Sequence, residues 1–232
     1  MANNRDNFYN PNYKPSLKKV ISFELKSRIG KLLKSKKNFI TNKKFLNIGC
    51  GSIRPANFMN IDFYEISFKN PLSFLPKKRD NFVGLDLRNE KLPFAEATFE
   101  GVFTEHALEH FYPDDVKNII SEIFRVLKLN GVIRIIIPDL EKYIKYYNGE
   151  IKHRNFEIYR NKNEAIWSLT QNYGHHSVWD FFSMKNLLTK IGFEEVKLLE
   201  FGKTQNVNLK IDRNDRSWNS LYIEAKKLNF KS

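Results

Sequence analysis

The stretch FLNIGCGS, Phe45 to Ser52, decides how the rest of the chain is read. Phe45 to Gly49 is short and mostly apolar, the pattern of a buried strand. Gly49 and Gly51 lack side chains, so the chain can turn tightly there and a ligand can approach the backbone. A Gly-x-Gly turn alone is weak, because many strand-to-helix turns need glycine for geometry only. Two acids further along strengthen it. Asp62 ends the next strand, in NIDF, and Asp86 ends the third, in GLDL. A carboxylate at the first position can accept both hydroxyls of a ribose, and one at the second can accept from an adenine amino group. Either acid could instead be a solvated cap. Together the three strand ends converge on the carboxyl edge of a sheet, where such folds bind ligands.

Outward from this segment, strands and helices alternate. The pattern predicts strands at Phe58 to Asp62, Phe82 to Leu87, Gly101 to Glu105, and Val132 to Ile137. Val196 to Phe201 and Ser220 to Ala225 read as two closing strands, expected to be antiparallel. Pro113 to Leu129 reads as a helix with Asp114 and Asp115 at its positive end and Asn130-Gly131 closing it. Ser183 to Ile191 reads as a helix closed by Gly192. The order suggests an α/β, doubly wound sheet with helices on both faces.

The 232 residues suit one α/β domain with an extension, long enough to bury a core. The net charge of +13 is concentrated. Residues 1–44 hold 12 Lys/Arg against 2 Asp/Glu, and residues 45–232 hold 27 against 24. The near-neutral remainder argues against a nucleic-acid enzyme, which would carry its basic residues around its site. Residues 1–15 read as a loose tail. Ser16 to about Lys37 reads as a basic amphipathic helix with an apolar stripe of Leu17, Ile21, Leu25, Ile29 and Leu32 or Leu33. Such a helix can make peripheral contact with an anionic membrane or pack on its own domain. The motif-bearing strands begin only at Phe45, so residues 1–44 are expected to be dispensable for cofactor binding. No apolar run approaches the roughly 20 residues of a membrane span. The polar N-terminus does not read as a secretory signal, and the single cysteine, Cys50, fits a cytoplasmic protein.

Four of the five histidines fall in two clusters. His106, Glu109 and His110 follow the fourth strand, and His175 and His176 precede the last helix. Histidine can act as a base near neutral pH. Two histidines with a carboxylate could also bind a metal, and purely structural hydrogen bonding is a third reading. The aromatic-rich stretch Tyr143, Tyr146, Tyr147, Tyr159, Trp167 and Tyr173 could line a pocket for a sugar or a flat ring, or could pack as core.

The chain resembles class I S-adenosylmethionine-dependent methyltransferases over about residues 43–227. It is most similar to a small bacterial group of the methyltransferase type 11 kind. The residues carrying the likeness are Leu46-Asn47-Ile48-Gly49-Cys50-Gly51, Asn60-Ile61-Asp62, Leu92-Pro93-Phe94 and Leu108-Glu109-His110. The resemblance implies a Rossmann-like, seven-stranded sheet, mostly parallel with an antiparallel last strand. It divides the chain into a basic tail and helix, 1–44, and a methyltransferase domain, 45–232, with an acceptor-pocket insertion at about 140–182. S-adenosyl-L-methionine is the implied cofactor. Asn47, Gly49, Cys50 and Gly51 would bind its methionine part, Asp62 its ribose, and Asp86 with Leu87 its adenine. His106, Glu109, His110 and His176 would position or deprotonate the acceptor, with no metal assigned. The acceptor would be a small molecule or glycan, since such enzymes often serve surface-polysaccharide pathways; RNA or protein methylation and a non-catalytic binding module are the alternatives. Two features depart from the family pattern. A third glycine is absent, and only 11 residues separate Gly51 from Asp62, too few for a crossover helix plus strand. A short turn is expected between them.

Overall fold

Val132 to Ile137 is buried along its whole length, as a strand covered on both faces must be. It forms the core of β5 (Leu127–Pro138) in a computed structural model that describes residues 16–33, 39–66 and 81–228. The other strands are β1 (Phe45–Ile48), β2 (Phe58–Asp62), β3 (Phe82–Gly84), β4 (Phe99–Glu105), β6 (Phe193–Leu199) and β7 (Ser220–Lys227). The seven strands lie in the order β3-β2-β1-β4-β5-β7-β6. All neighbours are parallel from β3 through β5, and β7 runs antiparallel to both β5 and β6. Strand order therefore reverses between β1 and β4. Ligands of open α/β sheets bind at that switch point, beyond the carboxyl ends of the strands.

The helices are α1 (Leu17–Leu33), α2 (Pro113–Val126), α3 (Leu140–Asn148), α4 (Lys162–Gln171) and α5 (Phe181–Ile191). Proline opens α2, where its missing N–H costs nothing, and Val116, Ile119, Ile120 and Ile123 bury one stripe against the sheet. The helix stops at Val126, earlier than its sequence pattern suggests. Leu127 is already extended and fully buried in β5, and a register shift between Phe99 and Gly101 absorbs the residues before Val132. The Asp180 carboxylate caps α5 by accepting from the Ser183 N–H, so that helix begins before the expected Ser183. As the short spacing requires, β1 and β2 are joined by turns with no helix between them.

Arg134 interrupts the apolar run of β5 yet is fully buried. Its guanidinium donates to both Asp212 carboxylate oxygens and to Glu224 at 2.8 Å, which offsets the cost of removing the charge from water.

The helix α1 corrects the expected packing face. It packs on the sheet domain through Ser27 and Gly30, both buried, while Leu17, Ile21, Leu25, Leu32 and Leu33 are exposed. Polar pairing and close approach decide the face. A Cβ at Gly30 would lie 2.3 Å from the Tyr64 ring, so only glycine lets that ring seat against the helix. Ser27 Oγ donates to Asp86 at 2.6 Å, and Arg88 pairs with Glu24 at 2.8 Å. Residues 34–37 of the expected helix lie outside the described residues, as does the expected tail 1–15.

Candidate active site

A cavity of about 470 Å³ opens at the switch point. Its walls bring together Gly49 and Gly51 after β1, Asp62 at the end of β2, Leu85 to Arg88 after β3, and His106 and Ala107 after β4. His110 to Tyr112, Asp115, His176 and Phe23 of α1 complete it. From α1, Phe23 lines the cavity and stacks on Phe63 with ring centroids 4.1 Å apart.

The glycine turn is shaped by two different needs. Gly49 has φ +67°, and a Cβ there would lie 2.3 Å from the Ala107 Cβ, so this glycine lets the segment after β4 close on the turn. Gly51 has φ +53°, and a Cβ there would meet nothing within 4 Å. Its open side is room for a ligand against the backbone. Asn47 is buried beneath the turn and donates to the Ile53 carbonyl at 3.0 Å and to Asn60 Oδ1 at 3.1 Å. It braces the turn and borders a second, smaller hollow, with Cys50, Glu105 and Arg213. Burial, with a smaller contribution from the Asp62 charge, pushes the Cys50 thiol up to about 11, so it stays protonated and is not a nucleophile.

The two strand-end acids differ. Asp62 accepts from the Gly51 N–H at 2.5 Å and from the Phe63 N–H at 2.7 Å, tying β2 to the glycine turn at the cavity wall. Asp86 is only 2% exposed, and its oxygens accept from Arg88 Nε, Arg88 Nη2, the Arg88 N–H and Ser27 Oγ. Burial raises its pKa, but the hydrogen bonds from Arg88 and Ser27 outweigh that and hold it at about 2. Asp86 is fully engaged by the protein, and it acts by fixing the loop that carries Leu87 and Arg88.

The histidine side is built differently. His106 follows β4 in a left-handed conformation, φ +48°, sparsely populated by non-glycine residues. The chain then forms a 3-10 turn, Leu108–His110, rather than the start of a regular helix. The turn still gathers the expected residues: His106 Nδ1 lies 3.3 Å from Glu109 Oε1. Glu109 is 2% exposed, and neither carboxylate oxygen has a hydrogen-bond partner among the described residues. Burial raises its pKa, but His106, then His110 and His175, outweigh that and hold it below the ordinary carboxylate value. The loop before α5 is pinned to this turn, because the His176 and Ser177 N–H groups both donate to the Glu109 carbonyl, at 2.8 and 3.1 Å. His176 stacks on Tyr112 with centroids 4.6 Å apart, at the cavity wall. His175, absent from the expected site residues, faces Glu109 Oε1 with Nε2 at 4.0 Å. Burial lowers the His175 pKa and favours its neutral form.

Of the aromatic residues between β5 and α5, Tyr143 and Tyr146 pack on Phe156, and Tyr159 joins the same small core. Among the residues lining the cavity, His176 alone comes from the stretch 140–182.

The strand order and the glycine turn at its switch point define a class I methyltransferase fold. Residues 46–135 match the family model described as a methyltransferase domain. No curated protein sequence matches the chain. Among solved structures, it is similar to a SAM-dependent methyltransferase from Archaeoglobus fulgidus, at 19% identity over 88% of this chain and 94% of that one, TM-score 0.48. A methyltransferase structure from Bacillus halodurans is similar at 19% identity, over 87% and 98% of the two chains, TM-score 0.47. One from Thermotoga maritima, described as a possible histamine N-methyltransferase, is similar at 16% identity over 89% of each, TM-score 0.49. Overlays this distant add little, and the matched domain and strand order carry the assignment. The matched segment, residues 46–135, reads as a methyltransferase domain, and it lies in a sheet with the methyltransferase strand order.

Proposed function

We propose that the protein methylates a hydroxyl of a small-molecule or glycan acceptor. One observation carries this reading: a single cavity joins the glycine turn, Asp62 and the Asp86–Leu87 loop to His106, His110 and His176. The residues present fit the cofactor. Gly51 leaves its backbone open, Asp62 offers a carboxylate to hydroxyls, and Phe63, Leu85 and Leu87 offer apolar walls to a flat ring. Asn47, Gly49, Cys50 and Gly51 would hold the methionine part, Asp62 the ribose, and the loop fixed by Asp86 the adenine. The cofactor supplies a methyl group activated on a sulfonium sulfur.

The chain's own task is to orient the acceptor and receive its proton. A hydroxyl barely ionises at neutral pH, so a base must take its proton as the new bond forms. His176 is exposed at the cavity and held by its backbone N–H and by Tyr112, which suits it to that role. His106 lines the same cavity, and buried Glu109 lies behind it, 3.3 Å from its Nδ1. Calorimetry with S-adenosylhomocysteine should show binding that weakens about tenfold or more in Asp62→Ala, the loss of hydrogen bonds to a charged group. No binding by folded wild-type protein would overturn the assignment.

A peripheral contact with an anionic membrane is a second reading, favoured by α1. Its exposed Leu17, Val20, Ile21, Leu32 and Leu33 are interleaved with Lys18, Lys19, Arg28 and Lys31. Among the described residues no helix is long and apolar enough to cross a membrane. Sedimentation with phosphatidylserine vesicles should show salt-sensitive binding that Leu17→Ser with Ile21→Ser abolishes. Equal binding to neutral vesicles, or none, would remove this reading.

A further inference from the structure

We propose that Glu109, His110 and His175 bind a divalent transition-metal ion of the zinc type at the histidine end of the cavity. Their ligand atoms all lie within 4.8 Å of one another. The Glu109 carboxylate is the anchor: it is 2% exposed, and both its oxygens lack a hydrogen-bond partner among the described residues. A carboxylate buried without partners is costly, so a native site of this kind is completed by something else.

The histidines are turned so that this completion is a cation. His175 Nδ1 is 2.7 Å from the Leu169 carbonyl, which only accepts, so Nδ1 carries the proton and donates it. That leaves the Nε2 lone pair on the Glu109 side, 4.0 Å from Oε1. His110 Nδ1 likewise faces a carbonyl, that of Gly174 at 3.3 Å, leaving Nε2 free. His106 flanks the group from the other side. Its Nε2 is 2.7 Å from Ser220 Oγ, whose own proton goes to the Arg216 carbonyl at 2.6 Å, so Nε2 is the donor. Its Nδ1 lies 3.3 Å from Glu109 Oε1. The Nε2 atoms of His110 and His175 and the buried Glu109 carboxylate thus gather in one place, an arrangement that a cation completes.

A ring that donates its outer N–H to a backbone carbonyl and turns its other nitrogen inward has the arrangement of a metal-bound histidine. An ion with bonds of about 2.0–2.2 Å holds its ligand atoms roughly 3–4 Å apart, close to the separations here. Imidazole nitrogens with one carboxylate suit zinc, iron, cobalt or nickel rather than magnesium or calcium. Three protein ligands would leave a position open toward the cavity wall that His110 shares. Resting on the methyltransferase reading above, that position would take an acceptor oxygen and acidify it.

The test uses untagged protein stripped with a chelator. Zn²⁺ calorimetry and the visible absorption of Co²⁺ should each show one ion per chain, with the band intensity of a low-coordinate nitrogen-oxygen site. Affinity should fall about tenfold or more in Glu109→Gln and in His110→Ala. His153→Ala, at an exposed histidine outside the cluster, should bind as wild type does. His110 is exposed, so its variant decides the matter if Glu109→Gln fails to fold. Folded wild type that binds S-adenosylhomocysteine but no ion would overturn this inference and leave the methyltransferase reading standing. So would ion binding that survives in both variants. An ion that binds while S-adenosylhomocysteine does not would support the metal site and overturn the cofactor assignment.

Discussion

The two ends of the cavity satisfy their polar groups in opposite ways. At the end formed by α1, β2 and β3, the protein pairs its own charges. Asp86 is saturated by Arg88 and Ser27, and Asp62 accepts two backbone N–H groups. At the end formed after β4, the buried Glu109 carboxylate has no hydrogen-bond partner among the described residues, and a histidine occupies a left-handed conformation. Saturated groups give a rigid seat whose shape does not depend on what occupies it. Unsaturated and strained groups store free energy that a reactant or ion can release, and such residues cluster at functional sites. On the proposed function, the contrast separates the part of the cavity that would hold the cofactor from the part that would react.

The largest effect should sharpen that division. His176→Ala should lower turnover about 100-fold to 10,000-fold with a chosen acceptor, the usual loss for a general base, while S-adenosylhomocysteine affinity stays unchanged. An equal loss of cofactor affinity would break the comparison, because the two ends would then act as one. Next in size is Gly49→Ala. A left-handed backbone and a Cβ 2.3 Å from Ala107 should together cost about 3 kcal/mol in urea unfolding. Gly51→Ala, with open space around it, should cost only about 1 kcal/mol.

Asp86→Asn tests the saturated end alone. The Asp86 pKa is lowered to about 2 from an ordinary 3.8, so its contribution is fully present above about pH 4 and is lost as pH falls through 2. The variant should be about 2 kcal/mol less stable than wild type at pH 7, and the gap should close in acid. A gap that persists below pH 2 would assign the effect to packing instead of charge. Ser27→Ala should be milder than Asp86→Asn, about 1 kcal/mol, with a matching weakening of cofactor binding. No change in either would mean that α1 only rests beside the site.

Most of the sheet could be read from the chain because its signals are local. Val132 to Ile137 is apolar for a reason that holds wherever the strand lies, and the Gly51-to-Asp62 spacing forbids a helix by length alone. The class of enzyme came from the resemblance carried by the Leu46–Gly51, Asn60–Asp62, Leu92–Phe94 and Leu108–His110 segments, and three adjacent strand ends supported it. The packed face of α1 was not legible. Its leucine stripe satisfies helical periodicity, whereas the buried face depends on Tyr64 and Asp86, which are distant in sequence. The choice between His175 and His176 was equally hidden. Adjacent histidines point apart, and the left-handed Tyr173, φ +60°, together with the pinning of 176 and 177 to the Glu109 carbonyl, decides which one meets Glu109. Of the two readings of the aromatic stretch, Tyr143, Tyr146 and Tyr159 follow the core one, because they pack around Phe156.

The left-handed backbone at His106 reaches beyond the site. With φ at +48°, glycine is the residue this position accepts most easily, and His106→Gly should be about 1 kcal/mol more stable than His106→Ala, the reverse of the usual order, as thermal melts would show. A lineage selected only for heat resistance would drift toward glycine here and discard the imidazole on the way. Robustness and chemistry compete at this one residue, so thermostable variants that keep their turnover should be those that leave 106 untouched and gain their stability elsewhere.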